Sequence, residues 1–193
     1  MEAKDLLRFQ LNGSCTVIRD RLVEISDLEW AQRAVPGTSK PGFLLWHCAR
    51  TVDAVVHRLI QGRPEIADER EWRVRVAVPD GLFGAGIPDA VADSVPAQVE
   101  RTALLDYVEA VRPRALEWLE RQSPDDLDRQ PDLRANLAEV PEYLAEPVWA
   151  EIGDFVGAPT WQYLARAGIS HIRVHMGEVD GLLAALRAGA ARS

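Results

Sequence analysis

Apolar residues recur along the chain at helical intervals. Leu6, Leu7, Leu11, Ile18, Leu22 and Ile25 are separated by steps that keep one face apolar, which predicts an amphipathic helix over roughly residues 3–25. Ser26-Asp27-Leu28-Glu29 has the form of a capping box and predicts a short second helix, with Trp30 packing back on the core. Val35 to Gly42 is crowded with proline and glycine and reads as a loop. From Phe43 to Gln61 the chain is apolar around most of a helical circumference, as in a helix inside a bundle, and Gly62-Arg63-Pro64 ends it.

The middle of the chain is less regular. Trp72, Val74, Val76 and Val78 alternate with charged or small residues, a short strand signal by pattern alone. No partner strand is evident, so residues 64–95 read as an extended loop or frayed helix, made flexible by Gly81, Gly84, Gly86 and Pro88. A connection of that length makes it a candidate lid. A third long helix is predicted from Pro96 to Arg121, with a kink at Pro113. Ser123-Pro124 starts a further helical turn. Residues 129–142 read as loop and Tyr143 to Phe155 as a short helix. Thr160 caps a last long helix that runs to about Leu186, with Leu164, Ile172, Val174, Val179, Leu182 and Leu183 on its apolar face. Long amphipathic helices and no convincing sheet predict an all-α fold in one domain over residues 1–193, most simply a four-helix bundle.

Composition narrows the functions rather than the fold. The 193 residues are 47% hydrophobic and 27% charged, as in ordinary soluble domains. No apolar run is long enough to span a bilayer, and the N-terminus lacks the pattern of a secretory signal. The formal net charge of −8, without a basic run, argues against nucleic acid as a partner. Cys15 and Cys48 form no metal-binding or disulfide pattern, which points to a reducing, cytoplasmic setting and to two small buried apolar residues.

The chain has four histidines, and two of them, His171 and His175, lie one helical turn apart. Residues four apart point about 40° from each other around a helix, so both imidazoles face the same way and one cation can take both. The best third donor is His47, in Leu44-Leu45-Trp46-His47-Cys48-Ala49-Arg50. From spacing alone the commoner outcome is bland: two hydrogen-bonded histidines on one helix and a satisfied core histidine on another. His57 lies about 80° round the helix from His47 and falls outside such a site. Cys48 diverges from His47 by about 100° and faces away from it. Trp46 and Trp161 read as core residues.

Two stretches carry a family resemblance. Pro41-Gly42-Phe43-Leu44-Leu45-Trp46-His47-Cys48-Ala49-Arg50-Thr51-Val52-Asp53 resembles the histidine-bearing helix of the DinB-like (DinB/YfiT) superfamily. His171-Ile172-Arg173-Val174-His175-Met176-Gly177-Glu178-Val179 resembles that superfamily's second motif, in which two histidines four apart precede a glycine. The distance between the motifs fits too, and the resemblance is nearest to single-domain actinobacterial members related to mycothiol-dependent maleylpyruvate isomerase. Met176 stands where many members carry His or Arg, a position that is not a ligand.

The resemblance implies a four-helix bundle of up-down-down-up order. It implies His47, His171 and His175 as ligands of a divalent metal, commonly zinc or nickel. It also implies a metal-dependent enzyme that activates a low-molecular-weight thiol such as mycothiol for transfer to, or isomerisation of, a small electrophile; dimers are common among such proteins. A non-catalytic metal-binding or stress-response module and a metal-dependent hydrolase are the alternatives. Helical spacing adds two candidate catalytic residues. Arg50, three after His47, could bind a carboxylate of thiol or substrate, or pair as a surface residue. Glu178, three after His175, could accept the second N–H of that imidazole, or stay solvated. Asp53 receives no role.

Overall fold

The computed structural model describes residues 2–191, and all regular structure among them is helical, with no strand. Helix α1 spans Ala3–Glu24 and α2 Asp27–Ala31. Helix α3, Pro41–Asp53, continues directly into a π-helical stretch, Ala54–Ile60. After a 3-10 turn at Ile66–Asp68 come α4 (Arg70–Val76), α5 (Asp89–Gln98) and α6 (Arg101–Glu120). Short helices α7 (Pro124–Asp128), α8 (Leu133–Asn136) and α9 (Val148–Ile152) come next. The last rod is built from α10 (Thr160–Tyr163), a second π-helical stretch (Leu164–Ser170) and α11 (His171–Ala190). No helix is long and apolar enough to cross a membrane.

The starts of α2, α3 and α7 obey their sequence signals, whereas Thr160 does not cap the last rod: Pro159 precedes its first residue and the Thr160 hydroxyl donates to the Arg129 carbonyl. At α2 the Ser26 hydroxyl accepts from the Glu29 N–H while the Glu29 carboxylate takes the Ser26 N–H at 2.9 Å. Ser123 and Asp126 do the same at α7, and Pro41 occupies the first helical position of α3, where no N–H is needed.

Polar contacts across the surface fix the direction of each long helix. Lys4 donates to the Glu120 carbonyl, Arg112 to Asn12 and Arg101 to the Leu22 carbonyl, so α1 and α6 are antiparallel. Arg173 reaches Gln10, Arg21 reaches Asp180 and Arg187 reaches Glu29, so α11 runs parallel to α1. The starts of α3 and α6 both lie at the C-terminal end of α1. Gly42 is pressed against Trp30, where a Cβ would come within 2.6 Å of the Trp30 carbonyl, and Arg101 pairs with Asp27. The order is therefore up, down, down, up. Exposed pairs of this kind each contribute about 0–1 kcal/mol, so they report register more than they supply stability. Stability comes from the apolar faces that meet inside, among them Leu11, Leu22, Leu45, Trp46, Leu104 and Ile172. Each such side chain is worth roughly 1.5–3 kcal/mol when fully buried.

Several expectations change. Residues 64–95 hold a 3-10 turn, α4 and the start of α5, and the stretch 77–88 with its glycines is irregular. The alternation at Trp72, Val74 and Val76 belongs to α4: positions 72 and 76 are one turn apart and buried, while Val74 is exposed. A period of two and a helical turn share every fourth position, which makes the pattern ambiguous. The helix predicted from Pro96 is two helices. Pro96 lies inside α5, and the chain is extended at Val99 and Glu100 before α6, which passes through Pro113 uninterrupted. Residues 129–142 contain α8 and the start of a 3-10 turn, Pro141–Leu144. Trp46 is buried, but Trp161 and Val174 are exposed and are not core residues. Val174 instead borders the cavity that holds the histidines.

Asp53, without a role in the sequence reading, is the polar hub of the interior. Its carboxylate, fully buried, accepts from the backbone N–H groups of Ile66 and Ala67, each at 3.0 Å, and from the Tyr107 hydroxyl, and pairs with His57 at 2.7 Å. Burial alone would raise its pKa. The His57 hydrogen bond and the Arg50 charge reverse this and hold it below the usual carboxylate value. Because the folded pKa is the lower one, the stabilisation is complete above the unfolded value and fades as pH falls through the folded one. Asp53→Ala should therefore destabilise by about 3–5 kcal/mol in urea denaturation at neutral pH, since it strands the buried N–H groups of Ile66 and Ala67 and the Tyr107 hydroxyl and removes the partner of His57. The gap between wild type and Asp53→Asn should narrow as pH drops below about 4. A gap that stays constant with pH would contradict this role.

Candidate metal centre

The two continuous rods α3 and α10–α11 cross the bundle side by side, and each contains a π-helical stretch. These stretches, Ala54–Ile60 and Leu164–Ser170, pack against one another. A π turn carries an extra residue and shifts the helical phase of the residues after it, and such turns gather at functional sites. Here one begins at Ala54, about two turns after His47, and the other ends immediately before His171.

The result is a convergence of three imidazoles. One ring nitrogen from each of His47, His171 and His175 can be chosen so that all lie within 4.8 Å of one another. The Nε2 atoms of His47 and His171 are 2.9 Å apart. The ring centroid of His175 is 5.2 Å from that of His47 and 4.5 Å from that of His171. His47 is buried, whereas the other two rings are partly exposed.

The surroundings suit a cation. His47 Nδ1 lies 2.7 Å from the Phe83 carbonyl oxygen, which can only accept, so Nδ1 carries the proton and Nε2 presents its lone pair to the other rings. His175 Nδ1 is 3.0 Å from the Glu178 carboxylate, which likewise leaves Nε2 of that ring for a ligand. Burial, reinforced by the neighbouring His171, pushes the pKa of His47 down to about 3; burial and His175 push His171 down to about 4. Neutral imidazole is the form that ligates a metal. Two nitrogens at 2.9 Å need a proton or a cation between them. With three converging imidazoles, and the second nitrogens of His47 and His175 held by Phe83 and Glu178, the residues present fit a divalent ion.

The triad lies on the wall of a cavity of about 580 Å³ between the two rods. Val55, Leu59, Ile152, Phe155 and Tyr163 make much of its remaining wall. No Cys, Asp or Glu joins the three histidines as a fourth ligand among the described residues. The Cys48 and Cys15 thiols are buried, and burial raises both pKa values, Cys15 to about 12, so neither is a thiolate.

Glu178 lies at the site, but the structure does not bring Arg50 there. The Arg50 guanidinium is buried beneath the next turn of chain, paired with Glu65 at 3.0 Å and donating to the Leu82 carbonyl at 2.8 and 3.2 Å. A buried carboxylate competes more strongly for an arginine than an open cavity does. Arg50 instead holds the segment that holds His47, since the carbonyl next along the chain, that of Phe83, receives the His47 N–H.

That segment, a candidate lid by its sequence, is a wall. Phe83 is buried, lying between the rings of His47 and Tyr143 with centroids 6.3 and 5.6 Å away. Gly84 has a φ of +98°, and a Cβ there would sit 2.6 Å from His47 Nδ1. The signal is present in the glycines at 81, 84 and 86, which mark a close backbone approach as readily as flexibility.

The sequence profile of the DinB superfamily matches residues 10–179. The chain belongs to the DinB superfamily. Its all-helical bundle and three-histidine cluster agree with membership, and both histidine motifs lie within the matched residues. No curated protein shows significant similarity to this DinB-superfamily chain.

Two substitutions test the support of the site. Glu178→Ala should weaken zinc binding at least tenfold in competition with a chromogenic chelator, because second hydrogen bonds of ligating histidines carry effects of about 10–100-fold. Gly84→Ala should weaken it through displacement of the His47 ring while the thermal transition stays cooperative. Unchanged zinc affinity in both variants would contradict the roles given to these contacts.

Proposed function

We propose that this chain is a metal-dependent enzyme in which His47, His171 and His175 hold one divalent ion, zinc or nickel, and present it to a low-molecular-weight thiol and a small electrophile. One observation carries the reading: three imidazoles converge on the wall of a mostly apolar cavity with no fourth protein ligand among the described residues. Structural zinc sites are closed by four protein ligands, whereas catalytic sites keep a position for an exchangeable group. A divalent ion held there supplies Lewis acidity, which favours the deprotonated form of a thiol or water near neutral pH.

The chain's own residues do the rest. Glu178 fixes the orientation of His175, and the Phe83 carbonyl fixes the tautomer of His47. The apolar walls exclude water from the reacting groups, which strengthens electrostatic interactions there. Both cysteines are buried thiols, so the nucleophile is supplied by a cosubstrate, and the family resemblance names mycothiol as its type. The reaction is transfer of that thiol to the electrophile or isomerisation through a reversible adduct. Arg50 acts by holding the wall segment, not by touching substrate.

Cobalt-loaded protein titrated with a small thiol tests the proposal. The expected result is a thiolate-to-cobalt charge-transfer band in the near ultraviolet that saturates with one thiol per chain and is lost in His47→Ala. No band, accompanied by turnover of activated esters, would replace the thiol reading with hydrolysis. No metal uptake at all would leave a module without metal chemistry.

A further inference from the structure

Arg166 is the only arginine or lysine among the residues that line the cavity. It lies inside the second π-helical stretch, and the backbone N–H of His171 donates to its carbonyl. That bond closes a π turn, which sets a residue roughly in line with the one five positions later. In an α-helix the same two residues would face about 140° apart. The wider turn therefore brings Arg166 onto the face that presents His171, and His175 follows one α turn later. All three line the cavity.

Arg166 is exposed, and among the described residues its guanidinium has no ion pair and no hydrogen bond. Other arginines of the chain meet acids, as Arg58 meets Asp68 and Arg187 meets Glu29. Arg166 rests instead over the ring of Phe155, with the guanidinium carbon 4.5 Å from the ring centroid. Tyr163 holds that ring in place: the two centroids are 5.0 Å apart, and the Tyr163 hydroxyl donates to the Phe155 carbonyl at 2.6 Å. Contact with a ring engages the charge of a guanidinium and leaves its N–H donors unused. Two carboxylates also border the cavity. Glu178 is taken by His175, and Glu151 stays beyond ion-pairing distance of Arg166. The cavity thus offers an accessible, pre-placed fork of donors on the same face of the rod as two of the three imidazoles.

We propose that Arg166 is a ligand-binding residue that selects guests carrying a carboxylate. The ligand class is a small anion whose metal-ligating atom and carboxylate belong to one molecule, held at two points along one face of the rod: by the ion at the triad and by the guanidinium of Arg166. This rests on the metal-site reading above and adds a charge selectivity to it. The guanidinium donates two N–H groups to the carboxylate oxygens, a pairing for which its planar fork is shaped.

The test is calorimetry on zinc-loaded protein with two mercapto acids of different reach, 4-mercaptobutyrate and 6-mercaptohexanoate, each compared with its neutral amide. Wild type should prefer the acid about fivefold to tenfold at one or both lengths, the worth of one accessible charge-assisted contact. Arg166→Gln should abolish that preference and leave the amides bound as before. Arg166→Lys, which keeps the charge and loses the fork, should restore part of it. The preference should shrink as salt is raised from about 0.05 M to 0.5 M, because an accessible pair is screened. Affinity for zinc alone should be the same in all three proteins. Equal affinity for acid and amide at both lengths would overturn the proposal. So would an acid preference that survives in Arg166→Gln, which would assign it to the metal itself, or a loss of zinc affinity in that variant, which would make Arg166 a structural residue. Any of these results with zinc bound to wild type overturns this inference alone, whereas no zinc uptake by wild type overturns the metal reading and this inference with it.

Discussion

The hydrogen bond from His47 Nδ1 to the Phe83 carbonyl is the constraint on which the site depends. It joins a ligand on α3 to a segment 36 positions later in the chain. It selects the tautomer, and with it the nitrogen that faces His171 and His175. The carbonyl is held in turn by its neighbours: Arg50 grips the preceding carbonyl, Phe83 is clamped against Tyr143, and Gly84 permits an approach that a side chain would block. A metal site needs its ligands fixed to a fraction of an ångström, and that precision comes from the residues behind them.

Behind this contact lies a layer of buried charge. Arg50 pairs with Glu65 and adds its charge near Asp53, and the tyrosines at 107 and 143 donate to Asp53 and Glu65 respectively. For Asp53 the surrounding donors outweigh burial; for Glu65 burial outweighs the Arg50 charge and raises its pKa. Such layers are expensive in stability compared with apolar packing, but they tolerate only one arrangement of their members. Here that arrangement ties α3, the turn at Ile66–Asp68, α6 and the wall segment together immediately beneath His47.

Much of this is legible in the sequence, and the reasons for the rest are physical. Long amphipathic helices announce themselves by period, so the bundle and the rods that carry the histidines emerge directly from the pattern. Helix direction does not come from pattern; it comes from pairs such as Arg21 with Asp180 and Arg112 with Asn12, which join residues far apart in the chain. Helix α4 is obscured because seven residues hold too few turns to separate a period of two from one of 3.6. The π-helical stretches leave no compositional mark, since they depend on how two rods pack. Arg50 is drawn toward the site by helical spacing and away from it by Glu65, a partner fifteen positions later that spacing cannot reveal. Arg166 gives no signal because α-helical spacing turns it about 140° away from His171, and only the π turn between them brings it onto the same face.

The central claim is that one ion is held by three imidazoles with a position left for a guest. X-ray absorption at the zinc edge of the loaded protein examines it most directly. The account predicts three nitrogen scatterers with imidazole multiple scattering at about 2.0–2.1 Å and one further light atom, with that atom replaced by sulfur at about 2.3 Å when a small thiol is added. A first shell with four protein ligands that does not change on adding thiol, or one containing fewer than three imidazoles, would contradict it.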